Sequence, residues 1–261
     1  MRAVFMTIVL LLSSLTSFAE GGGNILEDWA PAYNISDSTS IQPYKFNAKQ
    51  LILPGAFIAV GTFGATNGWM RKGQRWFDKA LTATHGSHQF AVDNFLQLIP
   101  LGAYIGMGAI GLPARHNIKG RLLAGATATI FALAITEPLK HWVKEERPDG
   151  SNRYSFPSGH TAISFMGAEL IRLEYNNIGA TFGAYSVAIG TGILRLYNRR
   201  HWLFDVVTGA GIGIFSARAA YWMLPVYDRL FSTRKNKNAI ALVPGYSPEA
   251  KGLSLSGAII F

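Results

Sequence analysis

Apolar and polar positions fall in blocks along this chain and do not alternate residue by residue. Uncharged stretches run over Leu51–Met70, Asn94–Ala114, Leu122–Thr136, Tyr154–Ala168 and Tyr175–Leu194. A sixth, Val206–Leu224, is interrupted only by Arg218. Charged or Gly/Pro-marked joints separate them: "RKGQRWFDK", "RHNIKGR", "KHWVKEERPDGSNR", "RLEYNN" and "RLYNRRHW". Blocks of this length suit helices better than strands. The pattern predicts an all-α bundle of about six apolar helices. No internal repeat of solenoid length is present. Two of the stretches approach the roughly 20 residues of a perpendicular membrane span. The bundle is therefore expected to be embedded in a membrane or to lie on one.

The two ends differ from the middle. "MRAVFMTIVLLLSSLTSFAEGGG" has Arg2, an apolar run from Ala3 to Leu12, and small residues ending at Ala19. This is the pattern of a secretory signal cleaved after Ala19. An N-terminal anchor is the alternative, and the run is short for one. A polar lead-in follows. From Asn238 onward, "AIALVPGY" and "LSLSGAIIF" flank "SPEAKG", which predicts a short β-hairpin-like tail. Two strands cannot close a membrane barrel. The expected organisation is a signal over 1–19, an extended lead-in over 20–49, the helical domain over 50–230, and a basic flank with the tail over 231–261. Topology is left open. "RHNIKGR" and "RLFSTRKNK" suit a cytoplasmic side, and six full spans would then conflict with a cleaved signal.

Composition sharpens this picture. Charged residues make up 15% of the 261, against about 25% in soluble domains. Glycine is abundant, at 28 residues, which suits helices that approach closely through small side chains. The net charge of +9 suits anionic lipid, phosphate esters or nucleic acid. The densest basic run, "RKNK" at Arg234–Lys237, is too short for a nucleic-acid arm and reads as a lipid-facing flank. No nucleic-acid partner is expected. The absence of cysteine excludes disulfides and thiolate metal sites.

Three joints carry candidate chemistry. In "KHWVKEERP", Lys140 and Arg147 are seven residues apart, close to two helical turns and on one face. Two such cations can hold a phosphate between them. The alternative is a solvated basic helix end. In "RLYNRRHWLFD", His201 and Asp205 are four apart beside Arg195. A carboxylate there would fix the imidazole tautomer and leave the other ring nitrogen as nucleophile. The alternative is an ordinary surface pair. In "SFPSGHTAISF", Ser158 caps a helix and Gly159 permits its tight start. The helix N-terminus would face an anion, with His160 in its first turn.

Together these are K-x6-RP, PSGH and R-x5-H-x3-D, in that order. The combination resembles the type 2 phosphatidic acid phosphatase (PAP2) superfamily, which also includes class A acid phosphatases and vanadium haloperoxidases. The resemblance covers Lys140 to Asp205, with supporting helices from about 50 to 230. It implies a phosphatase in which His201 attacks phosphorus, Asp205 orients His201, and His160 protonates the leaving alkoxide and then activates water. Lys140, Arg147, Arg195, Ser158 and Gly159 would bind the phosphate, with no metal and no other cofactor. The third family motif usually begins Ser-Arg, whereas Leu194 precedes Arg195 here. One phosphate hydrogen bond is therefore missing, or comes from Tyr197 or Asn198.

"RPDGSNRYSFPSGHTA" and "YNRRHWLFDVVTGAGIGI" further resemble exported bacterial lipid phosphatases, including lipid A phosphatases. The implied substrates are lipid A, undecaprenyl diphosphate or phosphatidylglycerol phosphate, reached from the periplasmic side. A vanadium-dependent haloperoxidase and a noncatalytic phosphate-binding membrane bundle are the competing readings.

Other residues are read as structural. His85 and His88 lack companion ligands, so no metal site is assigned. His116 and His141 are expected in solvent. Glu137 either pairs with Lys140 or is a solvated helix-end charge. Asp93 starts a helix. Trp76, Trp142, Trp202 and Trp222 fit an interfacial belt or core packing.

Overall fold

The computed structural model describes residues 44–85, 90–231, 239–247 and 252–260. Its helices are α1 (Ile52–Thr66), α2 (Gly68–His85), α3 (Asp93–Leu96), α4 (Ile99–Gly106), α5 (Ile118–Val143), α6 (Gly159–Glu174), α7 (Ile178–Tyr197) and α8 (Leu203–Phe231). Single turns of 3-10 helix span Ala48–Leu51 and Met107–Ile110. The expected tail is an antiparallel hairpin of β1 (Ala239–Ser247) and β2 (Gly252–Ile260), in register from Ala239 opposite Ile260 to Ser247 opposite Gly252. The hairpin belongs to a compact unit that starts at Met223, and the helices up to Trp222 form another. The expected signal, most of the lead-in, His88 and the "RKNK" flank lie outside the described residues, as does the side chain of His85.

The helical unit is organised around α6. From Thr161 to Glu174 every α6 residue except Ile163 is buried, because α4, α5 and α7 pack around it. Polar side chains inside this run find partners on neighbouring helices. Ser164 Oγ, for example, lies 3.2 Å from Thr191 Oγ1 of α7. A helix buried on all sides is stable only inside a bundle. α8 reaches α6 at backbone distance through glycine. A Cβ on Gly213 would fall 2.8 Å from the Met166 nitrogen and collide with the Ala162 carbonyl, and one on Gly209 would strike the Ser158 carbonyl. The glycine content thus serves close helix approach, as expected.

Two carboxylates are buried on α6. Glu169 accepts from Arg172 Nε at 2.7 Å, Arg218 Nε at 2.6 Å and the Tyr185 hydroxyl at 2.5 Å. Glu174 accepts from the His116 backbone at 2.6 Å and the Tyr221 hydroxyl at 2.5 Å, and its second oxygen lies 2.9 Å from His116 Nδ1. The expectation that His116 is solvated is corrected, because the buried Glu174 needs donors. His141 is exposed as expected and stacks edge-on against Tyr154.

Among the described residues three helices are long and apolar enough to cross a membrane: Ala48–Thr66, Ile118–Val143 and Leu203–Tyr227. On α1, Ile52, Val60 and Phe63 point outward, and on α5, Leu122, Ile130 and Leu133 do so. Apolar faces of this extent suit contact with lipid.

The helix boundaries differ from expectation in three places. "RKGQRWFDK" is not a joint but the middle of α2. The Asn67 side chain accepts from the Trp69 and Met70 amides at 3.0 and 3.2 Å and starts that helix. Its inward residues are polar, Gln74 and Asp78, whereas Trp69 and Trp76 are exposed. That inverted distribution hid the helix. The Asn94–Ala114 stretch breaks into α3, α4 and a 3-10 turn that ends at Gly111, whose φ of 90° is left-handed. The Tyr154–Ala168 stretch becomes helical only at Gly159, since Pro157 disfavours helix at the residue before it.

Candidate active site

The C-terminal end of α5, the loop 144–158, the start of α6, the end of α7 and the turn into α8 meet at one end of the bundle. There a cleft of about 310 Å³ is lined by Asp93, Asn94, Arg147, His160, Arg195 and Arg200, among others. Lys140 projects from the last turn of α5 to the start of α6. A Cβ on Gly159 would lie 3.2 Å from Lys140 Nζ, so glycine at 159 keeps room for the ammonium. Lys140 also pairs with Glu137 at 2.6 Å, which settles the two readings of Glu137 in favour of the pair.

Arg147 follows α5 in a tight turn. The Gly150 amide donates to its carbonyl at 3.0 Å, and Gly150 has a left-handed φ of 71°. Arg195, on the last turn of α7, donates from Nη1 to Asp93 Oδ2 at 2.7 Å, and both side chains are buried. Asp93 is therefore more than a helix start. The Nε atoms of Arg147 and Arg195 are buried without a partner among the described residues. Two buried guanidinium N–H groups with no acceptor are an incomplete arrangement that an anion in the cleft would complete.

His160 sits in the first turn of α6, with Nε2 3.0 Å from Asn94 Oδ1. Burial, followed by the Arg195 charge, pushes its pKa down to about 4. His201 lies in the turn before α8 and is buried. Burial, then the charges of Arg195 and Arg147, hold its pKa well below the ordinary histidine value. Both imidazoles are therefore neutral at neutral pH.

The environment of His201 departs from expectation. Its Nδ1 lies 2.6 Å from the Ser155 carbonyl and 3.7 Å from Asp205 Oδ2. The carbonyl can only accept, so Nδ1 carries the proton and Nε2 keeps its lone pair. The tautomer is thus set by the Ser155 backbone and not by direct contact with Asp205. Asp205 Oδ2 instead accepts from the Ser155 hydroxyl at 2.5 Å and from the Trp202 amide at 2.8 Å.

Ser158 also differs. It occupies the N-cap position, but its hydroxyl makes no capping bond and lies 2.9 Å from Thr161 Oγ1, fully buried. Its backbone amide donates to the Asp205 carbonyl at 3.1 Å, which ties the start of α6 to the start of α8. The Asn198 amide clamps the Phe90 backbone, accepting at 2.8 Å and donating at 2.7 Å. Asn198 therefore does not replace the motif serine. Tyr197 packs its ring on Phe90.

Arg199 forks onto Asp78 at 3.0 and 2.9 Å, and Arg200 pairs with Asp149 at 3.1 Å. Asp93, Asn94 and Ser155 are site residues that sequence reasoning did not assign. Only Ser155 carried a local signal, its place beside "PSGH". Among the described residues no cluster of three or more His, Cys, Asp or Glu is placed to hold a metal ion.

Comparisons with known proteins find partial similarities. The chain is 37% identical over 141 residues to a lipid A 1-phosphatase of Porphyromonas gingivalis, which covers 53% of this chain and 32% of that protein. It is 35% identical over 71 residues to the bacitracin transport permease protein BcrC of Bacillus licheniformis, covering 27% of this chain and 34% of that one. The chain thus spans about a third of the length of these curated relatives. A crystal structure of a transmembrane PAP2 type phosphatidylglycerolphosphate phosphatase from Bacillus subtilis aligns with a TM-score of 0.47 and 18% identity, over 70% of this chain and 99% of that one. The family model of the PAP2 superfamily matches residues 121–229. That segment holds Lys140, Arg147, His160, Arg195, His201 and Asp205 together, and over it the chain is similar to the PAP2 superfamily.

Proposed function

We propose that the protein is a metal-independent lipid-phosphate phosphatase that works through a phosphohistidine. The observation that carries this reading is the pair of guanidinium N–H groups, on Arg147 and Arg195, that have no partner among the described residues and stand beside His160 and the buried His201. In the first step, His201 Nε2 attacks phosphorus in line. The bond from phosphorus to the leaving oxygen breaks, and His160, which takes up a proton when the bound phosphate neutralises the Arg195 and Lys140 charges beside it, gives that proton to the leaving oxygen. The ring becomes cationic while Nδ1–H stays on the Ser155 carbonyl, with the Asp205 charge 3.7 Å away. In the second step, His160 takes a proton from water, whose oxygen attacks phosphorus and releases His201.

Lys140, Arg147 and Arg195 balance the charge on the non-bridging oxygens. The amide end of α6, from Gly159, adds its dipole. Ser158 supports this end through its backbone, since its hydroxyl is turned to Thr161.

The outward apolar faces of α1 and α5 favour a substrate that arrives in the bilayer. The relative that removes a phosphate from lipid A ranks that class of glycolipid phosphate first, ahead of undecaprenyl diphosphate and phosphatidylglycerol phosphate. The signal-like run up to Ala19 favours a cleft that faces the periplasm. The test is phosphate release from these three lipids and a soluble monoester, in detergent with EDTA present. At least one lipid should be cleaved as fast with EDTA as without it, and His201→Ala should abolish release while keeping the helical spectrum. Full loss of activity in EDTA would overturn the metal-free reading.

A further inference from the structure

Behind His201 two carboxyl oxygens are buried without a conventional partner among the described residues: Asp205 Oδ1 and Glu145 Oε2. Their side chains are in hydrogen-bonding contact with each other. Two ionised carboxylates cannot share such a contact, so one of them carries a proton. Asp205 is the better anion, because its Oδ2 already accepts from the Ser155 hydroxyl and the Trp202 amide. The proton therefore belongs on Glu145.

Ser155 binds this arrangement together. Its amide donates to the Glu145 carbonyl at 3.0 Å, its hydroxyl donates to Asp205, and its carbonyl accepts from His201. On its other side Glu145 borders a cavity of about 1140 Å³, whose basic lining is Arg71, Arg75, Lys144, Arg147 and Arg153. Glu146 and Asp149 are the other acids on that cavity. Burial first, and then the Asp205 charge, push the Glu145 carboxyl up to about 8, although Arg71 and Arg75 oppose the shift.

We propose that Glu145 is a positioning residue: as the neutral acid it donates a hydrogen bond to Asp205 Oδ1, holding Asp205 in place and the pair at a single negative charge behind His201. This role in turnover rests on the phosphatase reading above. The neutral donor fixes the one carboxylate that faces the histidine when its ring becomes cationic. Deprotonation of Glu145 would place two negative charges in contact and drive the carboxyls apart.

Four measurements on the full-length protein in detergent test this. Glu145→Ala should lower kcat at least tenfold with KM within about twofold. Glu145→Gln, whose amide still donates, should restore kcat to within about threefold of wild type. The wild-type kcat should fall as pH rises through about 8, and Glu145→Gln should lack that alkaline limb. Infrared difference spectra should show a protonated-carboxyl band that disappears over the same pH range in wild type and is absent from Glu145→Gln. A Glu145→Ala protein with wild-type kcat and pH profile would overturn the proposal, as would Glu145→Gln being as impaired as Glu145→Ala. If Glu145→Ala fails to fold, the pH profile of Glu145→Gln decides. If wild type releases no phosphate from any substrate, the phosphatase reading fails, and the infrared band still decides whether Glu145 holds the proton.

Discussion

The Ser155 carbonyl lies 2.6 Å from His201 Nδ1, whereas the nearest Asp205 oxygen is 3.7 Å away. In the proposed mechanism, holding the tautomer and stabilising the charge are therefore divided between two residues. Asp205→Asn should leave the ring orientation intact and remove only the charge. One unit charge at about 4 Å is worth about 4 kcal/mol at an effective dielectric of about 20, so kcat should fall by about a hundredfold to a thousandfold. Ser155→Ala keeps the carbonyl and loses one charge-assisted hydrogen bond, for a smaller loss of about tenfold. Steady-state kinetics of the two variants check this order.

Arg195 and Asp93 form a buried pair. Removing one partner of such a pair costs about 3–5 kcal/mol, because the other charge is left without compensation. Asp93→Ala should therefore lower the thermal midpoint clearly, and should also misplace Arg195 and raise KM. Thermal unfolding and a KM measurement on Asp93→Ala and Asp93→Asn check this, with the amide expected to be the milder change.

The two site histidines make stability fall on acidification. Both have folded pKa values below the unfolded value of about 6.5. Below that value the unfolded chain binds more protons than the native one. Their contribution is thus full above about pH 6.5 and declines as pH drops towards the value of about 4 set by His160. His160→Gln should flatten part of this slope in urea midpoints measured between these limits.

The same depression links ligand binding to protons. Besides burial, Arg195 and Lys140 act on His160 as neighbouring positive charges, and a bound phosphate or vanadate neutralises them. Binding should therefore raise the His160 pKa and take up a proton near neutral pH. Calorimetric titration of vanadate in buffers of different ionisation enthalpy should report that uptake, and His160→Gln should lose it.

Glycine positions separate tight contacts from loose ones. Gly213→Ala forces a methyl into the α6 backbone at Ala162 and Met166, and overpacking of this kind costs about 1–3 kcal/mol or more. Gly183 on α7 has nothing within 4 Å of a Cβ. Gly183→Ala should therefore stabilise the helix by about 0.5–1 kcal/mol. Thermal midpoints of the two variants should move in opposite directions.

Local patterns along the chain already determined the helical bundle, the tail hairpin and, of the cleft lining, Arg147, His160 and Arg195. Apolar blocks of helical length can be satisfied only by burying them together or against lipid. The spaced Lys140, Arg147, His160, Arg195, His201 and Asp205 are legible because each sits at a fixed offset on one element. Contacts between distant segments were not legible. Asp93 reaches Arg195 across 102 positions, Asn94 reaches His160 across 66, and Ser155 reaches His201 across 46. Nothing in the local sequence marks such partners, because their pairing depends on how α6, α7 and the turn into α8 are brought together. That approach is set by backbone contact at Gly209 and Gly213. Tertiary structure alone decided that a backbone carbonyl, not Asp205, holds the tautomer of His201.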